Sequence, residues 1–180
     1  MFVFLADSKK QDMKEFSVEK FFDPVKRPKI DDDLNEKMKN SMDIVHRMAC
    51  TLNHSLYVID YLKQSFVYVS PDKLFLCGYS VEQVLEWGYS FYTRVVPEND
   101  LRRLLEINKA GFDFYYKLPI EKRYMYSIEY DFDLVHINKK VTRVNQRLIP
   151  LIINKAGDLW LAVCVVTPLY SKAKNKTIIK

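Results

Sequence analysis

The run from Tyr126 to Leu148 leaves this chain few choices of fold. Tyr126, Ile128, Tyr130, Phe132 and Leu134 alternate with Ser127, Glu129, Asp131 and Asp133, the period of two that marks a strand with one apolar and one wet face. Thr142, Val144, Gln146 and Leu148 then alternate with Arg143, Asn145 and Arg147. A three-residue loop at Ile137-Asn138-Lys139 would pair Asp133 with Arg143 and Glu129 with Arg147, so that acid meets base on the wet face. The same register sets Phe132 opposite Val144, Tyr130 opposite Gln146 and Ile128 opposite Leu148. Gln146 then lies among rings, where an amide without a partner costs about 1 to 3 kcal/mol. Tyr130 would satisfy it, and so would a bound ligand.

The rest of the chain reads as a sheet split by helices. SLYVIDY and SFVYVS, separated by LKQ, are two tightly joined strands, and LWLAVCVVTPL is a last one after VTRVNQRLIPLII. Between the halves lie PDKLFLCG, then YSVEQVLEWG with Ser80 as N-cap and Gln83 in the capping-box position, then PENDLRRLLEINKAGF opened by Pro97. In SPDKLFLCGYS, Cys77 stands near a helix C-terminus, the wrong end to lower a thiol's pKa, so it reads as a packing residue with Gly78 ending the turn.

Residues 1–30 form an arm in which Pro24 and Pro28 favour extended chain, and Phe16, Phe21 and Phe22 offer rings to the domain or to a partner. A helix is signalled over 31–54. Asp31 caps it, and Leu34, Met38, Val45, Met48 and Leu52 follow at spacings of four and three, with Ser41 in the remaining slot. Met42, Ile44 and Ala49 widen the stripe. Such a helix either pairs with a second copy or lies on its own domain, and the spacing admits both. The acids at 31–33 suit the positive end of that helix.

Composition narrows the function. At 180 residues and 48% hydrophobic the chain holds one domain core with appendages, and 12 Tyr with 11 Phe make that core rich in large rings. The net charge of +5 is concentrated in SKAKNKTIIK, residues 171–180, which has four lysines and no acid. Residues 1–170 carry 24 basic and 23 acidic side chains, too even a balance for a phosphate-binding groove. The tail reads as a linker. Cys50, Cys77 and Cys164 are odd in number and lack CxxC spacing, which points to a reducing cytoplasm. The apolar opening MFVFLA falls well short of the roughly 18 to 20 residues a spanning helix needs. No phosphate-loop, nucleophile-elbow or metal-ligand motif occurs, and His46, His54 and His136 are far apart. The chain does not read as an enzyme.

The order of elements, with Asp60 ending the first strand, Ser70-Pro71 after the second, the Gly78-Tyr79-Ser80 turn and VVPENDL at 95–101, resembles a PAS domain over residues 55–170. That resemblance implies an α+β fold: a five-stranded antiparallel sheet with helices on one face, here preceded by the long N-terminal helix. The segments Glu106–Tyr116 and Arg143–Leu151 more closely resemble the N-terminal half of LuxR-type regulators of Bacteroidetes, in which a PAS-like domain precedes a helix-turn-helix. The likeness implies a cytoplasmic sensor with no membrane contact that dimerises and reaches DNA only through a C-terminal domain missing here, with 171–180 as the linker.

PAS relatives hold haem, flavin or metabolites. No His falls within 98–116 and no NCRFLQ-like helix occurs, which disfavours haem and flavin and leaves an unidentified small organic ligand, or none. Candidate wall residues are Tyr57, Phe112, Tyr116, Tyr126, Tyr130, Gln146 and Trp160, chosen by inner-face parity or ring content. The expected mechanism is a ligand-driven shift in the packing of the sheet on the helix at 31–53. The rival is an interaction module whose core is filled and whose contacts do the work.

Overall fold

A computed structural model describes residues 17–52, 54–169 and 177–179. Helix α1 (Asp32–Leu52) leads into strands β1 (Ser55–Asp60) and β2 (Ser65–Val69), and short helices α2 (Lys73–Leu76), α3 (Val81–Trp87) and α4 (Tyr92–Val95) precede the longer α5 (Glu98–Tyr115). Strands β3 (Ile128–Val135), β4 (Val141–Ile153), β5 (Leu159–Pro168) and β6 (Thr177–Ile179) complete one antiparallel sheet in the order β2-β1-β5-β4-β3-β6. Five of these strands are the expected ones. The sixth comes from within 171–180, expected as a linker, where Thr177–Ile179 pairs with β3.

The hairpin forms in the register that charge and parity predict. Ile128 faces Leu148, Tyr130 faces Gln146, Phe132 faces Val144 and Asp133 faces Arg143. Arg143 reaches Asp133 at 3.0 Å and Arg147 pairs with Glu129. The loop at 137–139 closes through the His136 amide donating to the Lys140 carbonyl at 2.9 Å, with Lys139 at φ +67°. Asp131, expected on the wet face, is instead buried, taking a hydrogen bond from Asn145 Nδ2 at 2.8 Å. The outward backbone of β3 is covered in two pieces: β6 pairs with Ile128–Tyr130, while Asp100 of α5 accepts from the Asp133 amide at 2.8 Å and Arg103 donates to the Asp131 carbonyl. Few backbone groups on that edge are left to pair with a stranger.

Helices α2–α5 cover one face of the sheet, and local signals start and stop them. Ser80 and Gln83 make the predicted capping box of α3. Gly78 turns the chain at the end of α2 as expected, at φ +95°, and Cys77 before it is itself left-handed at φ +54°. The Cys77 carbonyl accepts from the Ile137 amide at 2.9 Å, which docks this corner onto the β3–β4 loop. Helix α5 comes close enough to β3 that a Cβ on Gly111 would lie 2.7 Å from Ile128 Cδ1.

The opposite face is covered by α1, whose first turn is closed by Asp31 accepting from the Leu34 amide at 3.1 Å. Leu34 and Val45 are buried there with Leu56, Val58, Ile152, Trp160 and Leu161, and Met38, Met42 and Ala49 pack against them. Burying Leu34 and Val45 contributes about 1.5–3 kcal/mol each. Three of the five predicted seam residues, Leu34, Met38 and Val45, thus lie on the protein's own sheet. Met48 and Leu52 remain exposed with Ile44.

Gly78→Ala is expected to lower stability by about 1–3 kcal/mol, since an alanine at φ +95° is strained and its Cβ would lie 2.6 Å from Ile137 Cγ2. Thermal unfolding measures the loss; an unchanged melting temperature would contradict this account of the α2–α3 corner.

Candidate functional site

The space between the sheet and α4–α5 is where an internal ligand of this architecture would lie, and side chains fill it. At its centre Gln146 of β4 is fully buried. Tyr57 of β1 donates to Gln146 Oε1 at 2.7 Å, and the Tyr92 hydroxyl of α4 is within reach of both Oε1, at 3.4 Å, and the Tyr57 hydroxyl. On the other side, Gln146 Nε2 donates to the Tyr130 hydroxyl and faces Cys164 Sγ at 3.8 Å. Both amide protons and the amide oxygen therefore have protein partners, and no group of this residue is left for a ligand.

Rings pack round this knot. Tyr57 stacks on Phe75 with centroids 4.2 Å apart, and Phe75 meets Phe91 at 5.3 Å. Among the described residues, two small cavities lie beside the knot, each of about 10 Å³, the space of a single water. They adjoin, since Asn108, Tyr130 and Leu148 line both. Desolvation holds the phenols of Tyr57, Tyr61, Tyr89 and Tyr92 above their ordinary range, so they stay protonated and able to donate. Burial pushes the thiols of Cys77 and Cys164 up to about 12, the opposite of what a nucleophile needs.

Of the residues named from sequence, Tyr57, Tyr130 and Gln146 meet in the knot. Phe112 and Tyr126 line the second cavity, and Tyr116 closes the end of α5 with its hydroxyl accepting from the Lys26 amide at 2.8 Å. Trp160 is not with them. Its parity with Ala162, Cys164 and Val166 predicts the inner face, but consecutive Ile152 and Ile153 pair with Leu161 and Leu159, leaving Trp160 as the extra residue of a bulge. The indole is turned outward beneath α1, where Nε1 donates to Asp60 Oδ1 at 3.1 Å. That oxygen also accepts from the Leu62 and Lys63 amides, whereas Asp60 Oδ2 is buried with no partner among the described residues.

Four residues of the inner space were not read from sequence as part of a site: Tyr92, Tyr61, Cys164 and Asn108. Phe21 and Phe22, offered as arm rings, prove to be buried in this layer. Phe22 packs on Tyr89 at 4.5 Å and Tyr61 at 6.1 Å, and Phe21 on Tyr89 at 5.5 Å and Tyr92 at 6.0 Å. Phe16 lies outside the described residues. Among those residues no group of His, Cys, Asp and Glu is placed to hold a metal ion, and no helix is long and apolar enough to cross a membrane.

The architecture matches solved PAS domains. One from Colwellia psychrerythraea superposes with a TM-score of 0.52 at 12% identity, over 71% of this chain and 96% of that one. The PAS domain of the fruit-fly ELK potassium channel gives 0.51 at 13%, over 72% and 98%. A light-oxygen-voltage domain studied with a flavin analogue gives 0.52 at 15%, over 72% and 86%. No known family profile matches the sequence, and no curated protein does. The fold is that of a PAS domain.

Tyr57→Phe leaves Gln146 Oε1 with only its longer bond and is expected to cost about 1–3 kcal/mol, read by chemical denaturation. Alkali tests the thiols. They ordinarily ionise near 9 but are held to about 12 in the fold, so between those values the unfolded chain has released protons that the folded one keeps. Stability present below pH 9 is therefore lost as pH rises through that window. A denaturation midpoint flat from pH 8 to 11 would contradict the burial of these groups.

Proposed function

We propose that the protein is a cytoplasmic regulatory PAS domain that works through protein contacts, with no resident small molecule. One observation carries this reading: the central amide is fully satisfied by the protein's own side chains, and the two cavities beside it are of about 10 Å³ each, far below the several hundred Å³ usual for a ligand site. The setting is a LuxR-type transcriptional regulator, supported by the likeness of Glu106–Tyr116 and Arg143–Leu151 to such proteins. DNA contact then belongs to a helix-turn-helix domain outside this sequence, in keeping with the even charge of residues 1–170.

The contact surface is the exposed side of α1. Ile44, Met48 and Leu52 recur at intervals of four and are 57%, 45% and 48% exposed, which places them on one stripe of the helix. A second copy of this chain, presenting the same stripe, pairs there in this reading. Native mass spectrometry of gently purified protein is expected to show the dimer at the mass of its polypeptides, and Met48→Glu a monomer. A stoichiometric non-covalent adduct would overturn the absence of a ligand, and an equal solution mass for wild type and variant would overturn the α1 contact.

A further inference from the structure

Within one copy of this chain no three His, Cys, Asp or Glu side chains gather round a metal ion among the described residues, but a pair does gather. His46 and Cys50 stand one turn apart on α1, and Nε2 of the imidazole lies 3.9 Å from Sγ of the thiol. Two such ligands on a tetrahedral zinc ion, with Zn–S of about 2.3 Å and Zn–N of about 2.0 Å, are about 3.5 Å apart. A small side-chain adjustment brings this pair to chelating distance.

The imidazole is also aimed. Tyr68 of β2 meets it edge-on, with ring centroids 6.0 Å apart and planes at 82°, and the Tyr68 hydroxyl lies 3.3 Å from Nδ1. With Nδ1–H donating to that hydroxyl, the lone pair of the ring is on Nε2, the nitrogen that faces Cys50. A ring whose far nitrogen is held in this way is the usual arrangement behind a metal-bound histidine. A closed zinc site takes four ligands, and this pair is two. The other cysteines, Cys77 and Cys164, are buried. A second copy presents the same pair, and a two-fold axis through the ion turns two pairs into a set of two His and two Cys. The approach is open, because His46 and Cys50 are exposed and β2 is an edge strand of the sheet.

We propose that His46 and Cys50 are half of a zinc site that two copies of the chain complete, with Tyr68 as its positioning residue. Thiolate and imidazole in a tetrahedral set suit zinc, whereas magnesium and calcium favour oxygen. Each Cys50 releases its thiol proton to solvent as the Sγ–Zn bond forms, and no electron is transferred. Residues two apart on a helix are turned by about 200°, so His46 and Cys50 lie on the flank of α1 beside β2 and Met48 lies on the opposite one. The inference therefore goes beyond the contact proposed above and leaves the filled core as it is. An adduct due to this site disappears in Cys50→Ser, whereas a ligand in the core would stay.

Zinc and cobalt(II), each added to the full chain carrying Met48→Glu, test it. That background takes the other flank of α1 out of the measurement, so either proposal can fail alone. Zinc should double the solution mass. Cobalt should bind as one ion per two chains, with the visible bands of a tetrahedral site and a thiolate charge-transfer band in the near ultraviolet. Adding Cys50→Ser, at an exposed position, should abolish both responses. Tyr68→Phe keeps the ring, removes the hydroxyl and should weaken cobalt binding about 10-fold or more. An unchanged mass, one ion held per chain, or cobalt bands that survive Cys50→Ser overturns the proposal, and a cobalt affinity indifferent to Tyr68→Phe overturns the role given to Tyr68.

Discussion

One buried amide organises this domain. Gln146 sits at zero exposure on the central part of the sheet, where an unsatisfied polar group would cost more than a single core methyl contributes. Its satisfaction requires β1, α4, β3 and β5 to deliver Tyr57, Tyr92, Tyr130 and Cys164 to one point. Tyr92 is the link to the helical layer, so α4 cannot slide over the sheet without breaking its bonds to both Gln146 and Tyr57, a form of specificity that apolar packing alone does not impose. The rings that surround the knot follow from this constraint, since each hydroxyl at the centre must be carried there by an aromatic stem.

The hairpin was fully legible because two independent signals agreed: parity placed the rings on one face, and complementary charge chose which acid met which base. At two places where parity stood alone, it failed. Parity put Trp160 inward, and one extra residue in β5 reversed it. Asp131 had the parity of a surface acid, but its neighbours Asn145 and α5 bury it. Gln146 could be predicted to need partners, with Tyr130 as one, yet Tyr92 arrives from a single-turn helix with no period to read. Phe21 and Phe22 stand in a proline-bearing arm, and nothing local tells whether such rings face a partner or their own core.

The α1 stripe shows how one pattern can serve two surfaces. Its 4-3 spacing was open to a dimer seam and to packing on the domain. In the structure the early positions lie on the sheet, whereas Met48 and Leu52 turn away from it. The two sets interleave along the helix, Val45 and Ala49 facing the sheet while Ile44, Met48 and Leu52 make an apolar stripe on the other side.

The bulge that displaces Trp160 has an experimental consequence. It sets an indole between sheet and α1, buried and hydrogen-bonded to Asp60, and the only other tryptophan, Trp87, lies on the helical side against Phe91 and beneath the Arg94 guanidinium. The two faces of the sheet thus each carry one tryptophan. Tryptophan emission from a Trp87→Phe protein reports on the seating of α1 without a dye and without touching the outer core.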